Sequence, residues 1–304
     1  MTCLAPTINQ PQFKFYKTYY PPAAINTNKD CKTKTINTPD LKHEIIKSVA
    51  LSSLKELAIS LVLAGITCAF VATPIGMATV LGTAVAVVAI NTLIRSGIGA
   101  LTYKTENLKN IHTKQAEKAV KRNETVISFL QYLAPISFSV LDLTTRDVLV
   151  HEGGHALAAT LLYASEHSPT VEVMPLEGGA TTFFNQTLTP LGNAIGEKAS
   201  GLIVSAAGAA ASILFAAVNL GVAHLLKDKC PELSRYLNVM AIASIAQHAL
   251  YAISALWASA GNGHDFLALW VGGIHPVASV VTMVAIPLLV KGAFFTYDYV
   301  KGKI

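Results

Sequence analysis

The sequence predicts an all-α polytopic membrane protein with about six to seven transmembrane helices and one small β-hairpin. Only 13% of the 304 residues are charged and mean hydropathy is +0.47, whereas about a quarter of the residues in soluble domains are charged. The missing charge is also concentrated, because Asp, Glu, Lys and Arg are absent from four long stretches: 57–94, 199–226, 236–264 and 266–290. A helix crosses a bilayer with ~20 apolar residues, so each stretch is long enough for at least one span.

The N-terminal part is expected to place a transmembrane hairpin between two basic segments. Residues 1–55 form a polar, basic tail without the apolar core of a signal peptide. Residues 56–101 form the hairpin, which turns at "ATPIG" (72–76), and residues 102–124 form a basic loop. Lys and Arg excess marks the cytosolic side. The tail and the loop are therefore expected on the cytosolic side of the membrane, which is expected to be a bacterial inner membrane. The basic loop has no motif that would predict nucleic-acid binding.

The remaining spans are expected in a core that covers residues 125–290. Residues 125–164 form one interrupted span or two, because "DLTTRD" (142–147) separates two apolar stretches. Two long spans follow at about 199–226 and 237–261, and a last span at about 266–290 precedes a short tail, 291–304. Many Ala, Gly and Ser residues in these spans would let membrane helices approach closely.

A β-hairpin is predicted at residues 168–190, between the apolar stretch that ends near residue 164 and the span at about 199–226. Val171 and Val173 alternate with polar residues, and Gly178 and Gly179 supply a turn before a second polar and aromatic run that includes Thr181. Alternation with a period of two, bounded by turn residues, is typical of a hairpin and not of a helix.

A metal-binding motif is predicted within "VLVHEGGHALAATLLYA" (148–164). His151 and His155 are four residues apart, so in a helix both rings lie on one face and can bind one ion. Glu152 between them completes the H-E-x-x-H pattern of zinc hydrolases. Zn²⁺ lowers the pKa of its bound water to about 7, and Glu152 would move the proton from that water to the leaving amine. Gly153 and Gly154 are expected to leave the metal face open to a substrate backbone.

A catalytic zinc needs a third protein ligand, for which the residues leave several candidates. The metzincin extension is excluded, because Ala158 and Leu161 occupy its positions. Glu172 and Glu177 follow the motif at a distance that thermolysin-like enzymes use, although they fall in the hairpin. Asp265 is a lone acid between two apolar spans, where a carboxylate is costly unless it is paired or bound to metal. The scattered cysteines have no metal-ligand spacing: Cys3, Cys31, Cys68 and Cys230.

Four segments together resemble the site-2 protease family of intramembrane zinc metalloproteases: "HEGGHALAATLL", "EGGATTF", "ASGLIVSAAGAAASIL" and "HDF". The resemblance covers about residues 125–290. It implies a three-helix core with a re-entrant β-hairpin, and an unwound substrate strand that adds to the hairpin. It also implies the roles of the site residues, in which Zn²⁺ is held by His151, His155 and Asp265, Glu152 is the base, and the substrate contacts Gly178, Gly179, Thr181 and Asn262.

Two departures from that family concern the surroundings of Asp265. The usual Asn-x-x-Pro ahead of the aspartate is absent, and Phe266 replaces the following glycine. Asn262, His264 and His248 are the candidates for stabilising an oxyanion. The expected activity is zinc-dependent hydrolysis of a peptide bond in or near a transmembrane segment of a membrane protein. The alternatives are a multi-span zinc protease of the CAAX type with a glutamate as third ligand, or a catalytically inactive membrane scaffold.

Overall fold

The computed structural model describes residues 38–165, 167–174, 178–183, 187–259 and 263–302. These residues form nine helices: α1 Thr38–Cys68, α2 Pro74–Lys109, α3 Lys114–Thr144, α4 Arg146–Leu162, α5 Pro190–Ile195, α6 Glu197–Leu226, α7 Pro231–Ser254, α8 Asp265–Val271 and α9 Pro276–Lys301. Six helical segments are long and apolar enough to cross a membrane: α1, α2, the run from α3 through α4, α6, α7 and α9. Large apolar side chains cover their outer faces, such as Leu93, Leu214 and Leu288. The predicted all-α polytopic membrane fold is confirmed.

The predicted N-terminal hairpin is present as α1 and α2, and it turns at the expected place. Thr73 caps α2, because its hydroxyl accepts a hydrogen bond from the Gly76 N–H at 3.1 Å, and Pro74 begins the helix, where its missing N–H costs nothing. Ala64 of α1 and Ala84 of α2 are fully buried. Small side chains at this contact let the two helices pack closely, so the start of α1 and the end of α2 lie at the same end of the hairpin.

Several helices extend beyond their predicted limits, which were placed where charged residues begin. α1 begins at Thr38, inside the predicted tail, and the predicted loop 102–124 is helical outside residues 110–113. Thr113 caps α3 by accepting a hydrogen bond from the Ala116 N–H at 3.2 Å. The predicted tail 291–304 is likewise helical as far as Lys301. Lys and Glu are good helix formers, so these helices run on where their apolar stretches end.

The stretch 125–164 is one helical path with a break at a single residue. Pro135 lies inside α3 without ending it, and the break comes at Thr145, whose backbone has φ −128° and ψ −87°. The Thr145 hydroxyl donates to the Leu141 carbonyl at 2.6 Å. Thr145 therefore ends α3, and α4 begins at Arg146.

The limits predicted for the last two spans, 237–261 and 266–290, are wrong. α7 already ends at Ser254, and the apolar stretch after Asp265 divides into the short α8 and the long α9. Gly273 makes the division possible because it adopts φ 107°, which favours glycine. α8 has seven residues, too few to cross a bilayer, and this places Asp265 at the start of a short helix.

The predicted β-hairpin is confirmed and makes contacts on two sides, but Gly178 and Gly179 begin its second strand and do not form its turn. It consists of β2 Thr170–Met174 and β3 Gly178–Thr182, which pair antiparallel, while β1 Tyr163–Ala164 and β4 Thr187–Leu188 pair at its base. The Val173 N–H donates to the Phe70 carbonyl of the α1–α2 turn at 2.8 Å. The Val173 side chain is buried in a cluster with Phe138 and Val148. The hairpin therefore packs into the helical core against α4.

Candidate metal centre

The structure brings together the three residues expected to bind metal. The Nε2 atoms of His151 and His155 lie 3.1 Å apart. The Oδ2 atom of Asp265 lies 3.1 Å from the first nitrogen and 3.3 Å from the second. Within the described ranges, this is the cluster of His, Cys, Asp or Glu side chains whose geometry suits a metal ion.

The size of this triangle fits zinc. Zinc in proteins is tetrahedral, with ligand nitrogens and oxygens at about 2.0–2.2 Å. Neighbouring corners of such a tetrahedron are about 3.3 Å apart for a ligand distance of ~2.0 Å. The three measured separations are 3.1, 3.1 and 3.3 Å. The triangle could therefore form one face of a zinc tetrahedron, with a fourth corner left for water or substrate.

The hydrogen bonds behind the two imidazoles indicate that both present a lone pair to this triangle. The Nδ1 atom of His155 lies 2.7 Å from the Val204 carbonyl, which can only accept, so Nδ1 carries the proton. His248 donates in the same way from its Nδ1 to the Ser244 carbonyl at 2.9 Å. Its Nε2 therefore accepts from the Nδ1 of His151, 3.1 Å away. Two imidazole lone pairs and a carboxylate oxygen are a donor set that zinc prefers.

The two glutamates considered as third ligand are not part of this cluster. Glu172 lies on β2 and its side chain is exposed, while Glu177 lies outside the described residues. Asp265 is held in place by Tyr251, whose hydroxyl lies 3.3 Å from Asp265 Oδ2 and also accepts from the Asp265 N–H at 3.3 Å. Sequence reasoning missed Tyr251, although it follows His248 by three residues on α7 and so shares a helix face with it.

Glu152 is buried beside the helix face that carries His151 and His155, where the hairpin contacts it. Its carboxylate accepts a hydrogen bond from the Thr181 hydroxyl at 2.7 Å, and the same hydroxyl lies 3.0 Å from the Glu152 carbonyl. A Cβ atom on Gly179 would lie 2.5 Å from Glu152 Cγ. Glycine at position 179 therefore lets β3 approach the expected base closely, and Thr181 fixes one oxygen of its carboxylate.

Two glycines bring α4 and α6 together around the triangle. A Cβ on Gly208 would lie 2.3 Å from His155 Nε2 and 2.8 Å from His151 Nε2. A Cβ on Gly154 would lie 2.4 Å from the Ala207 carbonyl oxygen. The expectation that Gly154 leaves the metal face open is wrong, because this glycine faces α6.

A cavity of about 670 Å³ connects the metal triangle, Glu152 and residues 178–181 of β3. Gly179 and Thr181 lie opposite Val173 and Val171 in the hairpin. The Val173 N–H points outward to Phe70, so Val173 and Gly179 are a pair that is not hydrogen-bonded across the hairpin. The pair of Val171 and Thr181, two residues along, is of the same kind. The N–H and C=O groups of Gly179 and Thr181 consequently face outward from β3, and no backbone bond to that edge forms within the described residues.

The candidates for stabilising an oxyanion are dispersed. His248 lies behind His151, and Asn262 lies outside the described residues. The His264 ring stacks on Tyr251 with centroids 4.3 Å apart, and its Nε2 lies 3.0 Å from the Ser254 hydroxyl. Burial lowers the pKa of the His264 imidazole, and the neighbouring Asp265 carboxylate opposes this shift.

Comparisons of the chain with protein-family models, with curated proteins and with solved structures give no match.

Proposed function

We propose that the protein is an intramembrane zinc-dependent endopeptidase, similar to the site-2 proteases, that hydrolyses a peptide bond in or near a transmembrane segment of another protein. The observation that carries the proposal is the convergence of three ligand atoms from His151, His155 and Asp265 beside Glu152. Ionisable side chains inside a membrane bundle are costly and mark functional sites. The same cavity also contains an open strand edge.

The side chains of this site have separate tasks in the proposed reaction. His151, His155 and Asp265 would hold Zn²⁺, which supplies a hydroxide near neutral pH by lowering the pKa of bound water. Glu152 accepts the proton of the attacking water and delivers it to the leaving amine. The Thr181 hydroxyl holds one carboxylate oxygen of Glu152, which orients the other oxygen for this transfer.

The substrate is proposed to bind as an extended strand on the outer edge of β3. Gly179 and Thr181 offer backbone donors and acceptors there, and strand addition of this kind binds a backbone without regard to its sequence. The outer edge of β2 already pairs with Phe70, so β3 is the available side. A helical substrate must unwind first, because its backbone groups are bonded to each other, and substrates with helix-weakening residues in their spans are therefore preferred.

Metal analysis combined with a cleavage assay tests this function. Protein purified in detergent is analysed for bound metal and incubated with fluorophore-labelled transmembrane peptides that carry Gly and Pro within the span. We expect about one zinc per chain, with cleavage that a chelator stops and added zinc restores. Zinc without cleavage of any peptide would favour the scaffold. Loss of zinc in Glu172→Ala, together with full zinc in Asp265→Ala, would favour the CAAX type.

A further inference from the structure

We infer that His248, supported by Asp147, is a positioning residue that fixes the ring of the metal ligand His151. The inference rests on the proposed metalloprotease function. No pattern in the sequence assigns this role, because His248 and His151 are 97 positions apart in the chain. It depends on the contact that α7 makes with α4.

With a single proton on its ring, His248 has one arrangement that satisfies its hydrogen bonds. The Nδ1–H of His248 donates to the Ser244 carbonyl at 2.9 Å, which leaves Nε2 as an acceptor. His151 must then donate from Nδ1 to this atom, at 3.1 Å. The proton on Nδ1 leaves a lone pair on Nε2 of His151, which is the atom directed at Asp265. His248 therefore selects the tautomer that can bind metal, as outer partners of metal-bound histidines do.

Asp147 gives this support a negative charge. Its side chain is only 2% exposed, and its Oδ1 atom accepts from the Ser244 hydroxyl at 2.8 Å. Its Oδ2 atom has no hydrogen bond among the described residues and lies 3.7 Å from Nδ1 of His248. A buried carboxylate is costly unless it faces positive charge. A metal cation bound by His151 would supply that charge through the two imidazoles.

The same face of α7 supports the other side of the site. Ser244, His248 and Tyr251 lie at spacings of four and three residues and so on one helix face. Ser244 binds Asp147, His248 binds His151 and Tyr251 binds Asp265. α7 supplies no ligand atom itself, but it holds one ligand from α4 and one from α8.

Two amide variants of His248 test the inference. His248→Gln places an oxygen near the position of Nε2 and can still accept the proton of His151. His248→Asn is shorter, so it keeps a donor for the Ser244 carbonyl but does not reach His151. We expect His248→Gln to bind zinc almost as tightly as the wild type, and His248→Asn to bind it 10–100-fold more weakly, which is the usual effect of losing such a partner.

Zinc affinity is measured by competition with a chelator, and the ligand geometry by the absorption spectrum of the Co²⁺-substituted protein. Leu250→Ala, at a position of α7 that is 68% exposed, is the control and should change neither quantity. Asp147→Asn keeps the acceptor for Ser244 without the charge, and a several-fold weaker affinity is expected. It also serves as the second test if His248→Asn does not fold.

The outcomes separate this inference from the proposed function. If the wild type binds zinc and cleaves peptides but His248→Asn retains wild-type affinity and spectrum, the positioning role is wrong and the function stands. If both amides lose zinc equally, His248 acts through its ring packing and the inference is again wrong. A wild type that binds neither zinc nor Co²⁺ would contradict the proposed function and this inference together.

Discussion

At the scale of single residues, a substitution of Glu152 tests the proposed hydrolysis. Replacing it with Gln removes the proton acceptor but keeps the shape and an oxygen that can accept from Thr181. We expect Glu152→Gln to keep its zinc and to lose cleavage, because general acid–base assistance is typically worth ~10²–10⁴ in rate. Metal content and turnover are measured on the same preparation. Loss of zinc would identify Glu152 as a ligand or structural residue, and cleavage at the wild-type rate would contradict the hydrolase mechanism.

Gly208 tests whether the close approach of α6 shapes the metal triangle. A Cβ at this position would lie 2.3 Å from His155 Nε2, so Gly208→Ala must displace at least one ligand ring. We expect a strong loss of zinc in a protein that still inserts and folds. Gly153→Ala is the matched control, because its added Cβ meets no atom within 4 Å beyond its chain neighbours and the backbone of its own helix. Alanine is ~1 kcal/mol better than glycine within a helix, so the control should keep zinc and unfold at a slightly higher temperature.

The sequence identifies only part of this site. The spacing of His151 and His155 is local, and the isolation of Asp265 between apolar spans is visible along the chain. The supporting contacts are not visible, because they depend on how α7 packs against α4. In the sequence, Asp147 is only one of the polar residues that interrupt an apolar stretch, and Gly208 is one of many small residues in an apolar helix. Neither pattern predicts a contact with the site.

At the scale of elements, the contact between β3 and α4 makes Thr181 a second test. Thr181→Val keeps the β-branched shape and removes the hydroxyl that binds Glu152. A hydrogen bond to a charged group is worth roughly 1.5–3 kcal/mol, so we expect turnover to fall about ten- to a hundredfold while zinc remains bound. Thr182→Val is the control on the opposite face of the strand. Equal turnover in both variants would contradict the role of Thr181 in holding the base.

The sequence predicts the limits of some elements better than those of others. The hairpin is predictable because the alternation of Val171 and Val173 with polar residues is a local signal, whereas the two glycines predicted as its turn lie in β3. Helix ends are less predictable, because the prediction places them where charged residues begin. Thr113 begins α3 by capping it, and α9 continues to Lys301 because its last residues favour helix. The division between α8 and α9 depends on Gly273, a single residue whose positive φ no hydropathy pattern reveals.

At the scale of the whole molecule, the arrangement of α1 and α2 determines which ends of the protein share a side of the membrane. Both helices are long enough to cross the bilayer and are joined by a short turn. The first turns of α1 and the end of α2 therefore lie on one side, together with the start of α3. Lysine excess in these segments favours the cytosol for that side, and we propose a bacterial inner membrane with a cytosolic N-terminus.

Cysteine labelling in sealed membranes tests this topology. In a variant without native cysteines, Lys42→Cys and Lys114→Cys are exposed positions at the start of α1 and of α3. We expect an impermeant maleimide to reach both in inside-out vesicles and neither in right-side-out vesicles, because both lie at the lysine-rich end of the hairpin. Ile75→Cys, at the opposite end and with 80% of its side chain exposed, should label with the reverse preference. If Lys42→Cys and Lys114→Cys labelled from opposite sides, α1 and α2 would not both cross the membrane. If both labelled only from outside, the hairpin would stand, and the charge argument for a cytosolic N-terminus would be wrong.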